Sequence, residues 1–149
     1  MQTYKHILVA VDGSPTSDHA LKQAMTLAHE VQATLRIVHV IDEMAFNWDI
    51  EFEYMESVLA YIHESGKRLL AAATKTARDF GVKVESTLLT IALPGQRVGE
   101  VIAQEADDAK ADLIVIGTHG RRGVSHLILG SVAETVVRAA TIPVLLIHE

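Results

Sequence analysis

The chain of 149 residues contains no cysteine. Disulfides, thiolate catalysis and zinc–thiolate centres are therefore excluded. The lack of cystine is consistent with a cytoplasmic location, which is the expectation. Bases are scarce: 13 Lys and Arg face 19 Asp and Glu, a formal charge of -6. That balance argues against a nonspecific nucleic-acid binder, which shows a basic face. An anionic small ligand stays open if the few bases are focused at one site. No apolar stretch approaches the roughly 18–20 residues that cross a bilayer, so no membrane insertion is expected. The first apolar run stops at Asp12-Gly13, too early for a signal peptide.

What remains is ordinary globular material, 49% hydrophobic and 21% charged. The length suits one domain over residues 1–149, with no repeat, linker or low-complexity tract. Residues 7–11 are apolar without alternation, which predicts a strand buried on both faces. Ser14-Pro15 then reads as a helix cap followed by proline at the first helical position. Leu21, Ala24, Met25, Ala28 and Val31 recur at helical spacing. Residues 35–41 form a second strand, rich in β-branched side chains. Helical spacing resumes from Met55 to Phe80, and Gly81 is the expected stop. Residues 82–90 alternate as a sheet-edge strand does. A third helix carries Val98, Val101, Ile102 and Ala106, and a fourth Val132, Val136 and Ala139. Strands at 113–116 and 144–147 complete a βαβαβαβαβ order. That alternation implies a parallel sheet covered by helices on both faces.

The strongest chemical feature lies between the fourth strand and the fourth helix. Gly117, Gly120, Gly123 and Gly130 punctuate a loop that ends at Ser131. Glycine lets a backbone approach a ligand closely, and the N–H groups of a helix start favour an anion. Arg121 and Arg122 add positive charge, and Ser131 a hydroxyl. The plain alternative is a surface loop with glycines at its turns. Neither GxxxxGK[ST] nor a GxGxxG after the first strand occurs, so this is neither a P-loop nor a dinucleotide fingerprint.

Gly117-x2-Gly120-x9-Gly130-Ser131 resembles the nucleotide-binding signature of the universal stress protein family. The opening strand and turn through Asp12 and Ser14, the fourth strand and the closing strand resemble that family too, so the likeness covers the whole chain. It implies a Rossmann-like fold of the adenine nucleotide alpha hydrolase type: an open parallel sheet in the order 3-2-1-4-5. It also implies membership of the ATP-binding branch. ATP or another adenine nucleotide, with Mg2+, would lie at the switch point between strands 1 and 4. By that resemblance Ala10, Val11, Asp12 and Ser14 line the strand-1 side. The backbone of Val40 reads the base. Gly117, His119, Gly120, Arg121, Gly130, Ser131 and Val132 hold the phosphates. For Asp12 the alternative is a turn former before Gly13.

No GxSxG elbow surrounds any serine, and no catalytic residue is assigned. The spacing of His119 and His126 matches no standard metal site. Residues 42–54 are acidic and hold Phe46, Trp48, Phe52 and Tyr54, four of the seven aromatics. They read either as a loop pinned by its aromatics, the favoured reading, or as a lid or partner surface beside the nucleotide. The expected function is an ATP-binding regulatory protein of the stress response, acting on client proteins. The alternatives are a slow ATPase in the same pocket and an interaction protein with a vestigial pocket. The final strand, apolar and at the sheet edge in that order, predicts a homodimer through residues 144–147.

Overall fold

The computed structural model describes residues 4–46, 51–119 and 129–148. Five strands are present: β1 (His6–Ala10), β2 (Thr34–Asp42), β3 (Val84–Ile91), β4 (Leu113–Gly117) and β5 (Val144–Ile147). All pair in parallel, in the order β3-β2-β1-β4-β5. Helices α1 (Pro15–Val31), α2 (Phe52–Phe80), α3 (Val98–Asp108) and α4 (Ser131–Ala139) connect them. A short 3-10 turn (Glu43–Ala45) follows β2.

Alternation along the central strands sends side chains to two cores. Ile7, Val9, Leu35, Ile37, Leu113 and Val115 pack beneath α1 and α2. Leu8, Val38, Ile114 and Ile116 pack beneath α3 and α4. Both faces being covered, β1 from Ile7 and β4 through Ile116 are apolar without a break. β3 lies at an edge; Val84 and Leu88 join the first core and Leu89 the second, while Glu85, Ser86 and Thr90 are exposed.

The helix boundaries follow local chemistry. Ser14 caps α1: its hydroxyl accepts from the Ser17 N–H at 3.2 Å, and Pro15 opens the helix. Gly81 ends α2 at φ 96°, a left-handed conformation that glycine takes without a Cβ penalty. α2 starts at Phe52, three residues ahead of the apolar spacing that begins at Met55. The two faces of α2 explain the difference: Phe52 and Tyr54 are 87% and 63% exposed, so its first turn contributes little to the core. They do not pin the 42–54 segment, contrary to the favoured expectation. Phe46 is half-buried, and Trp48 lies outside the described residues.

Candidate functional site

In the order β2-β1-β4 the chain winds outward in both directions from β1. The crossovers leaving β1 and β4 therefore diverge to opposite faces, opening a crevice beyond their C-terminal ends. A cavity of about 560 Å³ occupies that place. Ala10, Val11 and Asp12 form its centre, Val40 its β2 side, and Gly117, His119, Gly130, Ser131 and Val132 its β4 side. Nine of the sequence-derived site residues thus converge. Gly120 and Arg121 lie outside the described residues.

Ser14 does not line the cavity. It is buried at the α1 start, and its hydroxyl is engaged as the helix cap. Asp12 combines two positions. Its Oδ1 accepts from the Ser14 N–H at 2.9 Å, which builds the turn into α1, and it also borders the cavity. Its own N–H donates to the Ser17 hydroxyl at 2.9 Å, placing Ser17 on the cavity wall.

The β4 side has the character of an anion cradle. The Gly130 N–H donates to the Thr118 carbonyl at 2.8 Å, fixing the start of α4 against the end of β4. No side chain among the described residues caps α4. The N–H groups of its first turn have no intrahelical acceptor, and Ser131, Val132 and Ala133 border the cavity. Beside them Thr118 Oγ1 and His119 Nδ1 are buried and lack a hydrogen-bond partner among the described residues. Thr118 is 1% exposed and His119 9%. Buried polar atoms without partners are costly, and both residues line the cavity. A ligand oxygen there would satisfy them.

Two glycines of the cavity wall also serve packing. A Cβ on Gly117 would lie 2.8 Å from Thr16 Cγ2 and 3.2 Å from the Thr16 carbonyl oxygen, so this glycine admits α1 against β4. A Cβ on Gly130 would lie 2.9 Å from the Thr118 carbonyl oxygen, at the strand end.

The opposite side is apolar. Ile41, Ala45 and Phe46 come from the exit of β2, and Ile62 from α2. His39 Nδ1 donates to the Val11 carbonyl oxygen at 2.8 Å and so joins β2 to the end of β1. His39 also borders the cavity. Thr118 and Ile62 were not expected from the sequence, and Phe46 was expected there only in the alternative reading of 42–54 as a lid or partner surface beside the nucleotide. Their membership depends on contacts distant in sequence, although the polar Thr118 directly after an apolar strand was a signal. Among the described residues no cluster of three His, Asp or Glu could hold a metal ion.

A parallel 3-2-1-4-5 sheet with helices on both faces and a cavity at its switch point defines an open α/β protein of Rossmann-like architecture. The Universal stress protein family matches residues 3–148, and the chain belongs to that family. It is 34% identical over 153 residues to Universal stress protein MJ0531 of Methanocaldococcus jannaschii, covering 98% of this chain and 83% of that one. A universal stress family protein from Burkholderia pseudomallei has a solved structure with TM-score 0.78 and 33% identity, covering 98% of this chain and 97% of the other. The universal stress protein from Archaeoglobus fulgidus, solved in complex with dAMP, has TM-score 0.66 and 27% identity. That likeness covers 97% of this chain and 98% of the other.

Proposed function

We propose that the chain binds an adenine nucleotide, ATP foremost, in the cavity between the ends of β1 and β4, and that occupancy regulates contacts with client proteins in a cytoplasmic stress response. The observation that carries the reading is the pair of buried polar atoms on Thr118 and His119, without partners among the described residues, beside a start of α4 that no described side chain caps. A phosphate offers the acceptors and negative charge that such a helix start favours. The residues present fit the rest of the molecule as well. Phe46, Ile41 and Ile62 offer an apolar wall to a flat base, and the Asp12 carboxylate stands between the two sides for a ribose hydroxyl. The relative from Archaeoglobus fulgidus in complex with dAMP supports the ligand class.

A bound nucleotide would supply the phosphate oxygens that the N–H groups of the α4 start favour. Mg2+ would be held by phosphate oxygens and water rather than by a protein cage. This chain's part is binding and orientation. The α4 N–H groups hold an anion, Thr118 and His119 complete its hydrogen bonds, and the wall from β2 and α2 excludes water from the base.

The protein is further proposed to be a homodimer through β5. That strand ends the sheet, and Leu145 is 40% exposed. The described part of the 42–54 segment does not cover it, since the 3-10 turn packs on β3 at the other edge. Mass spectrometry of ligand released from purified protein, followed by calorimetric titration with ATP, ADP, AMP and cyclic AMP, tests the main reading. Release of an adenine nucleotide and binding tighter than about 1 mM (roughly -4 kcal/mol) are expected. No binding at that level overturns it. Turnover well above background, lost in Asp12→Asn and Ser131→Ala, would instead make the protein a nucleotide-hydrolysing enzyme.

A further inference from the structure

One wall of the cavity does not belong to the sheet or to the glycine loop. Ala45 and Phe46 reach it from the turn after β2, and Ile62 reaches it from α2. These two elements are joined by the neighbours of those wall residues. Glu43 Oε1 accepts a hydrogen bond from His63 Nε2 at 2.6 Å. A carboxylate only accepts, so the Nε2 proton belongs to the histidine. Both side chains are partly withdrawn from water, His63 being 31% and Glu43 21% exposed. The turn is held at its base as well, where Asp42 Oδ1 accepts from the Met44 N–H at 3.0 Å.

The sequence makes this contact hard to replace. Residues 38–65 contain seven acids and no Lys or Arg. Their other histidine, His39, is bonded to the Val11 carbonyl oxygen. Within that stretch His63 is therefore the remaining basic side chain able to offer Glu43 an N–H donor. The nucleotide reading makes no use of either residue.

We infer that Glu43 and His63 are positioning residues: their hydrogen bond latches the turn after β2 onto α2 and so holds Phe46 and Ile62 as the wall against which a nucleobase lies. The inference rests on the nucleotide reading and adds to it a device outside the glycine signature. An apolar wall grips a flat ring by stacking and by excluding water, but only if its two sides keep their spacing. Without the latch the turn keeps its base and its packing on β3 but loses its side-chain bond to α2, and the base side of the cavity loosens. The phosphate side lies across β1, at β4 and α4, and keeps its geometry.

The test compares wild type, Glu43→Ala and Glu43→Gln, with AMP, adenosine and inorganic pyrophosphate as titrants. Glu43→Ala is expected to weaken AMP and adenosine by the same factor, roughly tenfold, and to leave pyrophosphate unchanged. Glu43→Gln keeps an oxygen acceptor at the same reach and is expected to restore most of the affinity. Amide hydrogen exchange at residues 43–46, measured without ligand, is expected to quicken in Glu43→Ala and not in Glu43→Gln. Unchanged AMP and adenosine affinity in Glu43→Ala overturns the inference, as does unchanged exchange. So does equal weakening of pyrophosphate, which signals general loosening. Wild-type protein that binds none of the titrants overturns the nucleotide reading itself, an outcome distinguishable because the exchange experiment reports the latch without ligand.

Discussion

Replacing Gly130 with alanine puts one methyl group at the joint between the sheet and the proposed phosphate site. The backbone there has φ -62° and ψ 154°, an extended conformation open to any residue, so no torsional strain arises. The difficulty is steric. The new Cβ would lie 2.9 Å from the Thr118 carbonyl oxygen, against 3.4 Å where ordinary contact begins. Relief takes a shift of about 0.5 Å in the strand end or the start of α4, straining the 2.8 Å bond from the Gly130 N–H to that oxygen. Overpacking of this kind costs about 1–3 kcal/mol. At roughly 2–4 °C per kcal/mol for a chain of this size, Tm falls by about 2–12 °C. Withdrawing the helix start lengthens every hydrogen bond it makes to an anion, so ATP affinity is expected to fall about tenfold while adenosine affinity holds. Gly130→Val adds a branch against the same carbonyl and is expected to abolish ATP binding. Differential scanning calorimetry and titration with ATP and adenosine read both effects. Wild-type Tm together with wild-type ATP affinity in Gly130→Ala would refute the reasoning.

Gly99→Ala is expected to act on the same helix from its other side. A Cβ there would lie 2.6 Å from Thr135 Cβ and 2.8 Å from the Val132 carbonyl oxygen, forcing α3 and α4 apart. Stability drops by about 1–3 kcal/mol in chemical denaturation, and ATP is weakened more than adenosine. Ser14→Ala removes the α1 cap and costs about 1 kcal/mol by the same assay. Nucleotide affinity is expected to stay at the wild-type level, since the Ser14 hydroxyl serves the helix and not the cavity. Leu145→Lys places a charge in the exposed β5 edge; sedimentation equilibrium is expected to give twice the 16.2 kDa chain mass for wild type and the monomer mass for the variant.

The fold was legible where burial dictates composition. The unbroken apolar runs at 7–11 and 113–116 announce strands covered on both faces, and the polar residues interspersed in 82–90 announce an edge. Ser14-Pro15 and Gly81 mark helix ends because capping geometry restricts residue type. The sheet order came from the family resemblance, and pairing confirms it. Asp12, Gly117, His119, Gly130, Ser131 and Val132 border the cavity, and were legible because the strand ends that form a switch point are themselves readable. Phe46, Ile62 and the Glu43–His63 bond were not, because residues 20 apart meet only once α2 has packed on β2. The packing role of two glycines was hidden for a related reason: Gly117 and Gly130 also answer to Thr16 and Thr118, neighbours that only the fold supplies.

Titrating isotope-labelled protein with ATP, and following backbone amide resonances, tests the central claim most directly because it reports binding and place together. The account expects saturable shifts at Thr118, His119, Gly130, Ser131 and Val132 on the phosphate side, and at Asp12, Val40 and Phe46 on the other. Adenosine is expected to reproduce the second set and not the first. An absence of shifts at millimolar ATP, or saturable shifts confined to residues away from the ends of β1 and β4, would contradict it.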